Sequence, residues 1–294
     1  MTSKDIILVP IGFTNQSLLA LQQAVIIAKH TNSELFLLSV VEMPSALQKI
    51  FLEYESKQRQ FKKKLRENLI ELRDKYCDGV SNVKCLVSSG KIYEEITDVA
   101  ESVGANLIVM GTDGTPKEIK KKFIGSNANK VVRSAPCPVI TIKGKSISNV
   151  CDMIALPLDL NKETREKVTN AIQFARLFNS EIRAFSVTYI NDDDSIKNKL
   201  NRTLSQVNKF INSKDIKCST ELVEISSSAS FSGSIVKYTE DINADLIMIM
   251  TKGEENIDLN FLGSNARNLI NKSDIPVMSI RPATKKDTSS FTIQ

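Results

Sequence analysis

The chain has 294 residues, 41% apolar and 25% charged, a composition that excludes a disordered or collagen-like protein. At about 100–200 residues per domain, two domains are expected, each able to bury its own core. The formal net charge of +5 comes from residues 1–144, which hold 20 Lys+Arg against 15 Asp+Glu, whereas 145–294 hold 19 of each; the excess is too small for a nucleic-acid-binding stripe but suits one small polyanion.

In chain order, the first half predicts a strand at 5–10, a helix at about 15–30, a strand at 34–41 and a long helix at about 45–76. A strand at 82–88, a helix at 91–103, a strand at 106–110, a helix at 125–134 and a strand at 138–142 follow. The second half predicts strands at 153–157, 181–188, 217–224, 245–250 and 276–280, alternating with helices at 162–178, 194–212, 231–242 and 263–272. The strands are unbroken apolar runs such as LIVM and LIMIM, the pattern of strands buried on both faces of a parallel sheet. Strand–helix alternation with right-handed crossovers gives an α/β fold, with a doubly wound five-stranded parallel sheet in each half. The long helix is strongly charged, and Leu52, Phe61, Leu65, Leu69 and Leu72 form its one apolar face.

The two halves repeat each other. Asp5–Ile11 (DIILVPI) matches Asp152–Leu158 (DMIALPL), and Ala105–Gly111 matches Ala244–Thr251. Phe123–Val132 (FIGSNANKVV) matches Phe261–Ile270 (FLGSNARNLI), and PCPVITI then answers DIPVMSI. Four blocks in the same order mark an internal duplication, with domains expected at 1–144 and 150–281 and a flexible tail at 282–294.

The rare residues narrow the chemistry. One histidine, His30, lies near a helix end, where a cation favours the last carbonyls. Five cysteines (Cys77, Cys85, Cys137, Cys151, Cys218) form no C-x-x-C pair and read as reduced, mostly buried thiols. No run of 18 apolar residues and no signal-peptide core occurs, so no membrane contact and a cytoplasmic location are expected.

Ligands of doubly wound sheets bind beyond the carboxyl ends of the strands, where the strand order reverses. After the fourth strand the first half reads GTDGTPKEIKKKFIGSNANK (Gly111–Lys130). Gly111 and Gly114 permit close backbone approach or positive φ, and Gly125, Ser126 and Asn127 open a helix. Free N–H groups, hydroxyl and amide donors and Lys117, Lys120, Lys121 and Lys122 together have the physics of a phosphate cradle. The same residues also suit a plain turn and a helix cap.

In these motifs (ILVP, VMGTDG, IGSNANKVV, PCPVITI) the chain resembles the universal stress protein family over almost its whole length, as two tandem copies. The resemblance implies a Rossmann-like three-layer sandwich of the adenine nucleotide alpha hydrolase-like type, and a stress-response sensor or regulator that binds ATP or another adenine nucleotide, with Mg²⁺ as a candidate companion. It places the nucleotide in repeat 1, against Pro10, Ile11, Gly12, Val40, Val41, Met110, Gly111, Thr112, Gly114, Gly125, Ser126 and Asn127. Fifth strands pair across family dimers, so the resemblance implies pairing of the two repeats and admits a homodimer.

Two departures matter. The family's loop has nine residues between its second glycine and its G-S/T, and this chain has ten; the family's strand-one aspartate is here Gly12. Repeat 2 keeps that carboxylate as Asp159 and keeps Gly263, Ser264 and Asn265, but Thr251 and Glu254 are read in place of the first two glycines. Glu254, Glu255 and Asp258 would repel phosphates. No catalytic residue is assigned, and at most a slow ATPase is expected. The alternative is an interaction module of the same fold whose pockets have drifted away from nucleotide. An adenylating enzyme would need a Ser/Gly-rich loop after the first strand, which IGFTNQS and LDLNKET do not supply.

Overall fold

The computed structural model describes residues 4–42, 52–112, 126–144, 151–160, 164–251 and 264–282. Its contacts divide the chain into two units, Met1–Ile142 and Lys143–Gln294.

The first unit runs β1 (Ile6–Pro10), α1 (Asn15–Thr31), β2 (Glu34–Glu42), α2 (Leu52–Tyr76), β3 (Val83–Gly90), α3 (Ile92–Val103), β4 (Leu107–Gly111), α4 (Ser126–Ser134) and β5 (Val139–Ile142). Its strands lie in the order β3-β2-β1-β4-β5, and every pairing is parallel. The register of β1 on β2 runs from Ile6 against Glu34 to Pro10 against Leu38. Leu8, Val9, Leu37, Ile108, Val109 and Ile140 are buried, as continuous apolar strands between two helical layers require. Helices α1 and α2 touch each other on one face of the sheet, and α3 and α4 touch on the other.

Local chemistry sets the ends of α1. Thr14 caps it: its Oγ1 accepts from the Ser17 amide at 3.2 Å, while the Ser17 Oγ accepts from the Thr14 amide at 3.0 Å. Asn32 closes it in the left-handed region (φ 53°), a conformation asparagine tolerates. His30 sits in the last turn beside Lys29, with Nδ1 3.2 Å from the Ile26 carbonyl oxygen. In α2 the predicted apolar face needs correction. Leu69 is fully buried where the helix packs on β2 and β3, but Phe61 is 51% exposed, so among the described side chains the stripe is covered only toward its C-terminal end. The expected start of this helix, 45–51, lies outside the described residues.

The second unit repeats the plan with β6 (Met153–Pro157), α5 (Thr164–Phe178), β7 (Glu181–Tyr189), α6 (Asp194–Asn212), β8 (Cys218–Ile225), α7 (Phe231–Asp241), β9 (Leu246–Met250), α8 (Ser264–Lys272) and β10 (Val277–Ile280). Its strand order is β8-β7-β6-β9-β10, again parallel throughout. Helices α5 and α6 touch each other on one face, and α7 and α8 on the other. Two hydrogen bonds fix the correspondence. The Ile11 amide donates to the Leu38 carbonyl at 2.7 Å, and the Leu158 amide to the Phe185 carbonyl at 2.7 Å. With left-handed Asn32 and Asn179 closing α1 and α5, residues 11–32 and 158–179 correspond one to one.

All five cysteines are free thiols. Burial pushes Cys137 and Cys151 up to about 12, and Cys77 and Cys218 up to about 11. Burial raises Cys85 as well, so the protonated form of all five thiols is favoured at neutral pH. Among the described residues, no helix is long and apolar enough to cross a membrane.

Candidate functional site

In the first unit the strand order reverses between β1 and β4, which splays the loops that follow them. A cavity of about 90 Å³ opens there, larger than the ~30 Å³ share of one water. It brings together Pro10, Ile11 and Gly12 after β1, Val40 on β2, Met110, Gly111 and Thr112 at the end of β4, and Asn127 on α4. Five further residues complete the wall: Ser17, Leu38, Ile92, Ile96 and Ala128. Sequence reasoning missed these five because they lie on helix faces and a mid-strand position without a motif. The apolar period of α3, which points Ile92 and Ile96 the same way, was the available signal.

Val41 does not line this cavity. It follows Val40 on β2, and successive strand residues point to opposite faces. Gly114, Gly125 and Lys117, Lys120, Lys121 and Lys122 lie outside the described residues, as does the side chain of Ser126, the first residue of α4.

The two glycines at the reversal point have different reasons. At Gly111 an added Cβ would lie 2.8 Å from the Gln16 backbone carbon and 2.9 Å from the Ser17 nitrogen. The first turn of α1 is therefore packed directly on the end of β4, and this glycine is demanded by the helix. At Gly12 an added Cβ meets nothing within 4 Å, and φ is not in the left-handed region. A side chain there has room. The left-handed residue of this turn is its neighbour Phe13 (φ 57°), which is 37% exposed.

The polar groups around the cavity are largely committed to the scaffold. Thr112 donates from Oγ1 to Gln16 Oε1 at 3.0 Å and from its amide to the Ile142 carbonyl at 3.0 Å. The Ser17 hydroxyl donates to the Thr14 carbonyl at 2.8 Å. Among the described residues, none of those lining the cavity is ionisable, so the walls supply neither a general acid nor a general base. What they offer is an apolar slot, formed by Ile11, Leu38, Val40, Ile96 and Met110, with backbone and amide groups at one end.

Charge flanks the slot. Next to Ile92 on α3, the Lys91 ammonium donates to Glu94 at 2.9 Å and the Tyr93 hydroxyl donates to the same oxygen at 2.7 Å. Those two donors hold the exposed Glu94 carboxyl below its ordinary value. Lys130, one turn beyond Asn127 on α4, lies 4.4 Å from the centroid of the Tyr93 ring. The Ser88 hydroxyl, on β3, donates to Glu95 on α3.

In the second unit, hydrogen bonding corrects the alignment of the fourth-strand loop. The Thr112 amide donates to Ile142, the last residue of β5, and the Thr251 amide donates to Ile280, the last of β10, at 2.8 Å. Gly111 pairs with Ile142 and Met250 with Ile280. The counterpart of Gly111 is therefore Met250, and Thr251 corresponds to Thr112. Asp159 follows β6 at the position of Gly12 and is exposed, as is Asn265 near the start of α8. Glu254, Glu255, Asp258 and Gly263, and the side chain of Ser264, lie outside the described residues.

Comparison with known proteins agrees with this architecture. A universal stress protein of Methanocaldococcus jannaschii is 28% identical over 151 residues, 47% of this chain and 86% of that protein. The crystal structure of a universal stress protein from Archaeoglobus fulgidus DSM 4304 covers 94% of this chain and 98% of its own, at 20% identity and a TM-score of 0.76, a likeness of fold. A further Archaeoglobus fulgidus structure, that of the universal stress protein in complex with dAMP, covers 44% of this chain and 97% of its own at 21% identity and a TM-score of 0.35. The model of the universal stress protein family matches residues 4–143 and again 152–281. With the family model matched twice and a parallel five-stranded sheet under each match, this chain belongs to the universal stress protein family as a tandem of two of its domains.

Proposed function

We propose that repeat 1 binds an adenine nucleotide, ATP foremost, and that the chain acts in the cytoplasm as a stress-response sensor or regulator. The observation that carries this reading is the cavity at the reversal of strand order, whose apolar slot suits a planar base. Pro10, Ile11, Gly12, Val40 and Met110 hold the base in this reading. The start of α4 at Ser126 and Asn127, with Gly111, Thr112, Gly114 and Gly125, receives the phosphates, which a helix N-terminus favours electrostatically. Mg²⁺ in this reading would arrive with the phosphates, whose hard oxygens it prefers as ligands. Bound nucleotide here is a signal more than a substrate in this reading, and among the described residues the walls carry no ionisable side chain. Pairing of the two repeats with each other, and a homodimer of the chain, belong to the same reading. Asp159, Gly263, Ser264 and Asn265 are the repeat 2 counterparts and have the smaller part in it.

The test is equilibrium binding of labelled ATP to the wild-type chain and to Val40→Glu, which sets a negative charge against the base and the phosphates. Binding by the wild type and its loss in the variant is the expected result. Equal binding by both removes the nucleotide from this cavity. Gly114→Asp combined with Ser126→Ala tests the phosphate end in the same way.

A second reading is favoured by the empty space at Gly12, where no carboxylate meets a nucleoside. On that reading the chain is an interaction module without nucleotide. Mass spectrometry of gently purified protein separates the two, because ATP, ADP or AMP released on denaturation counts against the module.

A further inference from the structure

Residues 11–32 and 158–179 correspond one to one, and the hydrogen bonds to Leu38 and Phe185 carry the correspondence onto the second strands. Two counterparts, one in the cavity wall and one next to it, are much larger. Leu38, which lines the cavity, corresponds to Phe185, since each accepts the hydrogen bond from the residue after the first strand. Phe185 is fully buried, and its ring packs on Tyr238 of α7 with centroids 4.4 Å apart. Ala20 on α1, one turn beyond the cavity-lining Ser17 and not itself in the wall, corresponds to Lys167 on α5.

Lys167 is unusual for a charged residue. It is 7% exposed, and its ammonium donates at 3.0 Å to the carbonyl of Pro157, the last residue of β6. Pro157 is the counterpart of Pro10, which lines the cavity in repeat 1. The lysine stem therefore runs from the helix to the strand end whose equivalent forms the pocket wall. A buried ammonium is retained only where acceptors hold it, and the stem that carries it adds three carbons and a nitrogen to the side chain that stands in repeat 1.

We propose that Lys167 and Phe185 are the specificity-determining residues of the tandem. They fill the repeat 2 counterpart of the cavity from inside, so that nucleobase enters repeat 1 alone. Phe185 takes up the volume behind the strand end from the α7 side, and Lys167 brings a cation to the wall from the α5 side. The carboxylate at Asp159, the feature that repeat 2 keeps and repeat 1 lacks, then has no base beside it to serve. This inference rests on the nucleotide reading of repeat 1, and its test reads the two repeats separately.

The experiment is photolabelling of the full chain with 2-azido-ATP, followed by peptide mapping. In the wild type, label is expected on peptides of repeat 1 only. Lys167→Ala combined with Phe185→Leu installs repeat 1's own residues at both places. It is expected to raise label on repeat 2 peptides by on the order of tenfold, about 1.4 kcal/mol, with repeat 1 label unchanged. Lys167→Ala alone is expected to give a smaller gain of the same sign, and serves as the test if the double variant loses its far-UV circular dichroism.

No gain on repeat 2 in a folded variant overturns the proposal, as does equal labelling of both repeats in the wild type. Absence of label from repeat 1 of the wild type overturns the nucleotide reading instead. The repeat 2 gain is still scored in that event.

Discussion

The turn after the first strand differs between the repeats more than the strands around it do. Repeat 1 reads Pro10-Ile11-Gly12-Phe13 and repeat 2 reads Pro157-Leu158-Asp159-Leu160, on backbones held by matching hydrogen bonds. At the end of the fourth strand, Gly111 faces the first turn of α1, whereas Met250 stands at the corresponding place. One repeat is trimmed of side chains at both edges of its cavity; the other carries side chains at both, with Lys167 and Phe185 behind them. A duplicated sheet can thus be retained while the side chains at its reversal point differ between the copies.

The strongest way to break this comparison is to give repeat 1 the bulk that repeat 2 carries. Gly111→Val should destabilise the chain by about 1–3 kcal/mol, because the added carbons overlap the Gln16 backbone and cannot rotate away. Urea unfolding measures it; a variant as stable as the wild type would mean that α1 can retreat from β4. Gly12→Ala is the matched control and should stay within about 0.5 kcal/mol, since its Cβ meets nothing.

A second test gives repeat 1 the carboxylate of repeat 2. Gly12→Asp has room for its side chain and, in the nucleotide reading, should tighten ATP binding about tenfold, or about 1.4 kcal/mol. Calorimetric titration reads the change, and unchanged affinity would place the nucleoside away from this turn.

The helix behind the turn offers a smaller effect. Thr14→Ala removes the acceptor for the Ser17 amide and should cost about 1 kcal/mol, visible as a lower thermal midpoint. If the cap alone is affected, nucleotide affinity of the folded variant stays at the wild-type level.

The least difference between the repeats is expected at two of their thiols, one half-buried and one buried. Cys137 in the first and Cys151 in the second are both pushed to about 12 from an ordinary 9.0. Between those values the folded chain holds more protons than the unfolded one, so stability falls as pH rises from 9 toward 12 and is unaffected by these groups below 9. Thermal melts across that window should slope less in Cys137→Ala and Cys151→Ala, to a similar degree in each. A slope unchanged in both variants would show that other groups set the alkaline limit.

Much of the fold was legible in the chain itself. Runs such as LIVM and LIMIM announce strands buried on both faces, and the structure shows them at Leu107–Gly111 and Leu246–Met250. The bounds of α1 were legible to within one residue, 15–30 against Asn15–Thr31, while its caps Thr14 and Asn32 were identified only in the structure. Phe61 was misjudged because a stripe of period 3.6 shows which side of a helix is apolar, not how far along it a neighbour reaches. Val40 lines the cavity and Val41 does not, a distinction that two adjacent valines hide in a sequence and the pleat makes by sending them to opposite faces. The loop alignment slipped by one residue in repeat 2 because similarity of letters paired Gly111 with Thr251, where strand register pairs it with Met250.

By itself the sequence determined the duplication, the order and type of the elements and the segments at the reversal point, since these follow from periodicity and nearest-neighbour chemistry. Tertiary structure alone decided what each residue there is for. Gly111 is glycine because of Gln16 and Ser17, nearly a hundred positions away, and Gly12 sits in open space although it is glycine too. Lys167 is counted among charged residues in the chain, yet it is buried on the Pro157 carbonyl once α5 docks on β6. Packing between distant segments sets which atoms share a cavity, and that information is carried by no local pattern of letters.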